Sequence, residues 1–368
     1  MADLLKNVYN DHFFNIYTNA LKAVVTDFNL DQFMDSVRDV SWESKELKQR
    51  MAHLTLHTGK LLPTQNQEKV TTIINIVNEL RRSGVNDQNF PYLFMADLIP
   101  AHMIEDLHLS IPAIEFMTVF TSFEFAGRSY FVKYPKEMMA QMLKWSKHSN
   151  PYIRRYASEG CRPRLPWGLQ LKQFVIDPAP IIPILENLKD DPSEYVRKSV
   201  ANNLNDISKD HPDLVIDIIK KWKGKTKNTD WILKHASRTL LKKGHHEVLD
   251  LFGTSAKTMF EVTHFDISHD QLTLGDTISF DYKIVNKEKT SAKFRLEYVI
   301  HFVKSNGQHS KKIFKIAEPT LSEGEILSGT KKHKFIDLTT RKHYAGAHKI
   351  ALVVNGLEGE GMEFELLF

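Results

Sequence analysis

A four-residue pattern in the middle of the chain decides its fold. Tyr152-Ile153-Arg154-Arg155 recurs 43 residues later as Tyr195-Val196-Arg197-Lys198, and 36 residues after that as Trp231-Ile232-Leu233-Lys234. The middle copy follows Asp191-Pro192. A start at Asp-Pro, with Val-Arg four residues on, is typical of HEAT repeats, whose helix pairs recur about every 40–47 residues. The pattern predicts an all-α solenoid of stacked helix pairs in this part of the chain.

Apolar residues outside the pattern separate the chain into two regions. Up to about residue 250 they recur at helical spacing in short segments. A helix is predicted over residues 70–80, with Thr64 and Gln67 as a capping box at its start and Gly84 as its stop. Further helices are predicted over residues 136–147, 151–160, 192–204, 213–222 and 230–243. Helices this short need neighbours to bury their apolar faces.

After Gly253 apolar residues alternate with polar ones, which is typical of strands. The predicted strands span residues 260–267, 277–285, 293–303, 312–316, 331–336 and 349–354. Several short strands separated by turns favour an all-β sandwich, although the Cys and Trp spacing of antibody domains is absent. We therefore expect an α-helical repeat domain over residues 1–254 and a β-sandwich domain over residues 255–368.

Composition excludes several classes of protein. The 368 residues are 42% hydrophobic and 26% charged, which is typical of a globular chain. The longest run without Lys, Arg, Asp or Glu is ten residues, against about 18 or more for a membrane span, so we expect none. The N-terminus lacks the basic and apolar parts of a signal peptide, and the single Cys161 can form no intrachain disulfide. These features predict a cytoplasmic protein.

The positive charge is concentrated in the repeat region. The net charge is +4, but residues 121–250 alone carry 23 basic and 15 acidic side chains. A basic region of this kind suits a polyanion such as nucleic acid. On charge alone, a solvated lysine-rich surface is at least as good an interpretation.

The repeat alignment brings a row of polar residues onto one face. Extended by seven residues, it aligns Glu159, Asn202 and Arg238, and 35 residues before Glu159 the row begins with Glu124. Equivalent positions of successive repeats lie in a row, about 8–10 Å apart, so Glu124 and Glu159 are close enough to act on one small target. The neighbours one helical turn away are Arg128, Arg155, Lys198, Asp206 and Lys234. Ordinary i,i+4 surface pairs remain the alternative interpretation.

The segment directly after Glu159 is unusual. It reads Gly160-Cys161-Arg162-Pro163-Arg164-Leu165-Pro166-Trp167-Gly168, and its two prolines end the helix. Arg162 and Arg164 are candidates for gripping phosphate, and Trp167 offers a flat face to a base or sugar. The alternative is a connector whose Trp packs into the core. Cationic neighbours would lower the pKa of Cys161, but no partner base is evident.

At these residues the sequence resembles the AlkC-like branch of the HEAT-like-repeat DNA glycosylases, a family of DNA alkylation repair. The resemblance is carried by residues 157–167, by residues 195–212 and by Glu124-Phe125-Ala126. It covers most of residues 110–250, whereas the first hundred residues match only in helical character. Members of this branch can carry a C-terminal immunoglobulin-like domain, in agreement with the predicted sandwich. Where the family tends to have Ile-Arg-Pro after Glu-Phe-Ala, this chain has Gly127-Arg128-Ser129.

The resemblance implies an enzyme that hydrolyses the N-glycosidic bond of cationic alkylated bases, such as 3-methyladenine and 3-methylcytosine, in double-stranded DNA during base excision repair. It implies that Glu159 and Glu124 stabilise the oxocarbenium ion and position water, with Asp206 as a third carboxylate. Trp167 would contact the sugar or base of the lesion. The DNA-binding candidates are Arg155, Arg162, Arg164, Lys198, Lys234 and Arg238. We expect a monomer without a cofactor.

Two other classes of function are alternatives to a DNA glycosylase. A non-enzymatic HEAT-repeat scaffold that binds DNA or protein explains the repeats and the charge equally well. A metallohydrolase needs a ligand set, but His53 and His57 lack a Glu between them, and His245 and His246 are adjacent. The sequence also lacks a P-loop and a dinucleotide-binding glycine motif, so neither a metal nor a nucleotide cofactor is expected.

Overall fold

The computed structural model describes residues 4–338 and 341–368. In these residues, helices extend to Leu251 and strands begin at Phe260, which confirms the predicted change from helical to β structure. The chain divides into two compact units. The first contains the residues up to Asp210 together with Lys223–Ala236, and the second contains His211–Trp222 and the chain from Ser237 onward. The domain boundary at residue 254 remains a prediction.

The described part of the first unit is helical. Its helices are α1 (Asp11–Val24), α2 (Leu30–Val37), α3 (Leu47–Gly59), α4 (Asn66–Arg82), α5 (Phe94–Met103), α6 (Leu107–Phe120), α7 (Arg128–Lys133), α8 (Pro135–Trp145), α9 (Pro151–Glu159), α10 (Lys172–Ile176), α11 (Ile182–Leu188), α12 (Glu194–Ile207) and α14 (Lys227–Ala236). Helix α12 packs against both α9 and α14, so the three copies of the repeated pattern lie on neighbouring helices. None of the helices described, in either unit, is long and apolar enough to cross a membrane.

Local sequence explains where these helices begin and end. Helix α9 begins at Pro151 because the Asn150 side chain accepts a hydrogen bond from the Tyr152 N–H at 2.8 Å and proline suits the first helical position. Helix α4 ends at Arg82, two residues before the predicted stop at Gly84, whose φ of +87° allows the N–H of Val85 to bond back to the Leu80 carbonyl.

The predicted start of helix α4 was wrong. The helix begins at Asn66, and Gln65 at its N-cap makes no side-chain capping bond. The capping box expected from Thr64 and Gln67 is therefore absent from this helix. The spacing of the two residues was suitable, but the chain enters the helix one residue later than the motif requires.

An aromatic core stabilises the N-terminal helices. The rings of Tyr17 and Phe94 meet edge to face, with centroids 5.3 Å apart.

Hydrogen bonds from two arginines join successive repeats. Arg154 of α9 donates to both carboxylate oxygens of Asp191, at 2.6 and 3.0 Å. Arg197, one repeat later, donates to the Asp191 carbonyl at 2.8 Å. The conspicuous Asp-Pro of the sequence pattern therefore fixes one repeat against the next.

The second unit combines three helices with the strands. Its elements are α13 (Pro212–Trp222), α15 (Arg238–Lys242), α16 (His246–Leu251), β1 (Phe260–Ile267), β2 (Gln271–Thr273), β3 (Thr277–Asn286), β4 (Ala292–Lys293), β5 (Leu296–Val303), β6 (His309–Ala317), β7 (Thr320–Leu321), β8 (Ile326–Lys334), β9 (Gly346–Val354) and β10 (Leu357–Leu367). The single helix predicted over residues 230–243 was wrong. It is two helices, α14 and α15, interrupted at Ser237, whose ψ of −1° departs from helical geometry.

The strands form the predicted sandwich. One sheet has the order β1-β3-β8 and the other β2-β10-β9-β5-β6, with β4 and β7 as a separate short pair. Aromatic side chains such as Phe280, Phe294 and Phe335 fill the core between the sheets. Strands β2, β7 and β10 were not predicted from the sequence. Strand β10 contains two glycines, and its pairing with β9 shifts register between Glu358 and Gly361, which breaks the expected alternation.

Candidate active site on the helical repeats

Five charged side chains form a continuous chain of ion pairs along the repeats, and we call them the ionic row: Glu124, Arg155, Glu159, Arg162 and Asp206. Glu124 lies in the turn between α6 and α7, Arg155 and Glu159 lie on α9, Arg162 follows α9, and Asp206 lies on α12. The structure thus brings together the three carboxylates that the sequence analysis proposed as catalytic. Two guanidinium groups separate them.

The arginines of the ionic row bridge successive carboxylates. Arg155 donates to both oxygens of Glu124, at 2.7 and 3.0 Å, and its Nη2 lies 3.5 Å from Oε1 of Glu159. Arg162 donates through Nη1 to Glu159 Oε1 at 2.6 Å and through Nε to Asp206 Oδ2 at 2.8 Å. Such planar, charge-assisted contacts fix the orientation of each carboxylate. Arg155–Glu159 is therefore not the exposed surface pair that the alternative interpretation required.

Glu159 is the best-held carboxylate of the row. Only 5% of the residue is exposed, and Ser199 Oγ of α12 donates to its Oε2 at 2.6 Å. Burial by itself would raise the pKa of Glu159, but Arg155, Arg162 and the Ser199 hydroxyl outweigh it and hold the pKa below its ordinary value. Glu159 is therefore ionised at neutral pH and presents a fixed negative charge.

Arg128 does not flank Glu124 as the sequence analysis expected. It is almost fully buried and donates to the carbonyls of Leu169, Gly160 and Arg162, at 2.7, 2.9 and 2.8 Å. Burial lowers the pKa of its guanidinium to about 10. Its three bonds hold the segment that follows α9 against the preceding repeat. Arg128 therefore positions this segment and does not extend the row.

Gly127 accounts for the departure from the family pattern. A Cβ atom at this residue would lie 2.0 Å from the Tyr156 hydroxyl oxygen, so any larger side chain would displace that ring. Tyr156 is fully buried on α9, between Gly127 and Gly160, where a Cβ would lie 2.7 Å from the same ring. The chain thus fills with a tyrosine the space that a larger residue at position 127 would need.

Trp167 is displayed on the surface rather than packed into the core. Its residue is 69% exposed and its φ is +65°, a left-handed conformation that non-glycine residues rarely adopt. Lys48 of α3 donates to its carbonyl oxygen at 2.6 Å. The alternative of a connector whose Trp packs inside was therefore wrong. The indole face is accessible to a ligand.

The predicted DNA-binding residues occupy three environments. Arg162 is buried and Arg155 is largely buried within the ionic row. Arg164 and Lys198 lie nearer the surface, where Arg164 pairs with Asp210 at 2.7 Å and Lys198 with Glu194 at 2.7 Å. The two remaining candidates are partly exposed, Lys234 on α14 of the first unit and Arg238 at the start of α15 in the second unit.

Cys161 is not an activated thiol. It is fully buried, its Sγ donates to the Ala157 carbonyl at 3.2 Å, and burial raises its pKa to about 12. The expectation that cationic neighbours would lower this pKa was wrong, because desolvation of the thiolate outweighs the effect of Arg128. Cys161 therefore packs as a small apolar residue.

Ser199 and Tyr195 also lie near the ionic row, although neither was predicted from the sequence to have a role. They occupy the same face of α12 as Asn202, at helical spacing. The Tyr195 ring lies 4.9 Å from the Arg155 guanidinium and 6.1 Å from the ring of Tyr152. The signal was present in the repeat itself, since all three copies of the pattern begin with an aromatic residue.

No group of three or more His, Cys, Asp or Glu side chains is arranged to hold a metal ion among the residues that the structure describes. The rings of His53 and His57 lie close together, with centroids 4.4 Å apart. His53 Nε2 already lies 3.1 Å from the Val37 carbonyl and 3.6 Å from an Asp39 oxygen. This histidine pair is therefore engaged with its own neighbourhood.

Comparison with known proteins relates both units to one group of proteins. The sequence model of the family described as "DNA alkylation repair enzyme" matches residues 102–240, and that of the "YhaZ, C-terminal Ig-like domain" matches residues 261–368. The chain is 38% identical to the uncharacterized protein YhaZ of Bacillus subtilis (strain 168) over 366 residues, covering 100% of both. It also resembles the solved structure of Pseudomonas fluorescens alkylpurine DNA glycosylase AlkC bound to DNA containing an abasic site analog. That match has a TM-score of 0.93 and 32% identity over 100% of both chains.

Proposed function

Because the chain belongs to the AlkC-like proteins of DNA alkylation repair that carry a C-terminal immunoglobulin-like domain, we propose that it is a DNA glycosylase. Its substrates would be duplex DNA with cationic alkylated bases, such as 3-methyladenine and 3-methylcytosine. The full-length similarity to an alkylpurine DNA glycosylase supports this proposal. The observation that carries it is the ionised, immobilised Glu159 in the ionic row.

The chemistry needs a fixed negative charge more than a general acid. A cationic base is already a good leaving group, and departure of the base leaves oxocarbenium character on the deoxyribose. A carboxylate held in place stabilises that charge without reorganisation. The lowered pKa makes Glu159 a weak base, so we assign it electrostatic stabilisation. We assign water positioning to Glu124, with Asp206 as the third carboxylate of the row.

The remaining residues divide between positioning and DNA binding. We propose that Arg162, which is buried between Glu159 and Asp206, orients these carboxylates instead of binding phosphate as first expected. Arg155 would do the same for Glu124 and Glu159. The phosphate contacts then fall to Arg164, Lys198, Lys234 and Arg238. Trp167 would contact the sugar or base of the lesion, and the enzyme would act as a monomer without a cofactor.

The direct test is base release from methylated DNA. Duplex DNA treated with a methylating agent is incubated with the full-length protein in EDTA, and released bases are separated by chromatography. We expect methylated purines or pyrimidines in the soluble fraction, with rates unaffected by the chelator. Absence of any released methylated base would overturn the proposal.

Glu159→Gln separates the enzyme from a binding scaffold. The substitution keeps the shape of the side chain and removes its charge, so we expect about 10²–10³-fold slower release, corresponding to roughly 3–4 kcal/mol of barrier. DNA binding, measured by fluorescence anisotropy, should persist. Glu137→Gln, which changes an exposed residue of α8, is the matched control and should leave the rate unchanged. Equal rates for wild type and Glu159→Gln would favour the scaffold.

A further inference from the structure

Tyr195 lies on α12 at the edge of the ionic row, where it covers one of the arginines. The guanidinium carbon of Arg155 stands over the Tyr195 ring, 4.9 Å from its centroid. Tyr195 is 38% exposed, whereas the side chain of Arg155 is only 12% exposed. The ring therefore accounts for part of the burial of Arg155 and is itself in contact with solvent.

The ring of Tyr195 is itself held in place. The Tyr152 ring meets it edge to face, with centroids 6.1 Å apart. Both tyrosines line a groove of about 480 Å³ together with Ser122, which lies two residues before Glu124. Burial raises the pKa of Tyr195 above its ordinary value, against a smaller opposing effect of Arg155. The phenol is therefore neutral, and it acts on the guanidinium through the face of its ring rather than as an anion.

The orientation of Arg155 decides the orientation of two carboxylates. Arg155 donates to both oxygens of Glu124, and its Nη2 lies 3.5 Å from Oε1 of Glu159. A guanidinium with an uncovered face can turn toward a DNA phosphate, because phosphate accepts the same pair of N–H bonds as a carboxylate. An aromatic face attracts the cation and closes that route. The ring thereby favours the bidentate pair with Glu124.

We propose that Tyr195 is a positioning residue, whose ring holds the Arg155 guanidinium against Glu124 and Glu159 and away from the DNA backbone. The proposal rests on the proposed glycosylase function, in which these carboxylates act on the lesion. In this role Tyr195 contacts neither the reacting atoms nor a base. Loss of the ring therefore lowers the rate of base release and leaves the affinity for DNA unchanged, whereas loss of a residue that stacks on a DNA base lowers the affinity.

The first measurement is single-turnover base release from methylated duplex DNA, with the full-length protein in excess. Tyr195→Leu removes the ring and should slow release at saturating protein by about ten- to a hundredfold. The protein concentration that gives half the maximal rate should stay within about twofold of wild type. Tyr195→Phe keeps the ring and should release base at the wild-type rate. Trp231→Leu is the matched control and should leave the rate unchanged, because Trp231 occupies the equivalent position of the next repeat and is 39% exposed.

The second measurement follows Arg155 without any need for activity. In full-length protein labelled with ¹⁵N-arginine, a guanidinium held by two acceptors rotates slowly and gives separate Nη1 and Nη2 signals in the NMR spectrum. Arg155→Lys assigns the signals of this arginine. We expect separate signals in wild type and in Tyr195→Phe, and one averaged signal in Tyr195→Leu.

Several outcomes would overturn the proposal. They are a wild-type rate in Tyr195→Leu, a Tyr195→Phe variant that is equally slow, weaker DNA binding as the main effect of Tyr195→Leu, and separate Nη signals in that variant. If Tyr195→Leu does not fold, Tyr195→Gln takes its place, because the position is partly exposed. A wild-type protein that releases no methylated base overturns the proposed function, and the NMR spectra then still decide whether Tyr195 holds Arg155.

Discussion

Glu159 and Asp97 are two carboxylates of the same unit that are both largely withdrawn from solvent, yet their pKa values move in opposite directions. The pKa of Glu159 is lowered, whereas that of Asp97 is raised to about 6. Burial is the largest influence on both groups and acts in the same direction on both, because it penalises the charged form. The difference lies in their partners.

The partners of the two carboxylates explain why their pKa values move in opposite directions. Glu159 receives donors from Arg162 and Ser199 and lies near Arg155, so its charge is compensated before any ligand arrives. Asp97 has only the more distant influence of Lys48. A fully compensated carboxylate is rigid and permanently ionised, which suits stabilisation of a transient charge. An uncompensated one destabilises the folded protein wherever it is ionised.

The largest effect is expected from replacing Arg162, which pairs with both Glu159 and Asp206. Arg162→Met leaves Glu159 and Asp206 buried with one fewer cation, so we expect the free energy of unfolding to fall by about 3–5 kcal/mol. The pKa of Glu159 should also rise, since burial is then less opposed, and the acid limb of the activity profile should move to higher pH. Urea unfolding and pH-rate profiles measure the two effects.

Arg164→Met is the matched control for this prediction. Arg164 makes a comparable bidentate pair with Asp210, at 2.7 and 2.8 Å, but does so near the surface. Exposed pairs contribute little to stability, so this variant should unfold close to the wild type. If the two variants have the same free energy of unfolding, burial does not account for the contribution of the Arg162 ion pairs to stability.

How far the sequence predicts this site depends on how local each contact is. Glu159 and Asp206 could be placed on one face because the repeat register, visible in the sequence, aligns Glu159 with Asn202, one helical turn from Asp206. The expected Glu124–Arg128 neighbourhood failed because i,i+4 reasoning holds only within a helix, and residues 124–127 form a turn before α7. The resulting freedom lets Arg128 point toward the segment after α9.

The surroundings of Trp167 could not be predicted from the sequence by the same reasoning. Lys48 and Trp167 are 119 residues apart, and Asp97 comes from a third segment. No periodic pattern connects these positions, since only tertiary packing brings α3, α5 and the segment after α9 together. The left-handed φ of Trp167 and the exposure of its side chain are likewise not required by its sequence context. Long-range contacts of this kind depend on tertiary packing, whereas the repeat register is visible in local sequence.

Asp97→Asn tests the carboxyl group whose pKa is raised by burial. The pKa of Asp97 is raised from 3.8 to about 6, so the folded protein binds this proton more tightly than the unfolded chain. Its contribution to stability is present below about pH 4 and lost as the pH rises through about 6. Relative to wild type, Asp97→Asn should therefore be more stable at pH 8 than at pH 4, by roughly 2–3 kcal/mol.

Urea unfolding of both proteins at pH 4 and pH 8 measures this difference. A variant whose relative stability is the same at the two pH values would mean that the Asp97 carboxylate is compensated in solution. Asp35→Asn serves as the control, because the side chain is exposed on α2. Higher relative stability of the variant at pH 8 than at pH 4 would show that the ionised Asp97 carboxylate costs the fold stability.

The smallest effect is expected at Lys198, whose ion pair with Glu194 is exposed. This pair shows what a charged contact contributes without burial. Lys198 pairs with Glu194 at 2.7 Å while both side chains remain more than half exposed. Such a lysine is free to exchange its partner for a phosphate, so Lys198→Gln should reduce the slope of log K against log salt by about 0.9. Base release at saturating protein should not change, because Lys198 is not in the ionic row. Fluorescence anisotropy over a salt series measures the slope, and Lys22→Gln on α1 is the control. An unchanged slope for Lys198→Gln would leave this lysine as a solvated surface residue.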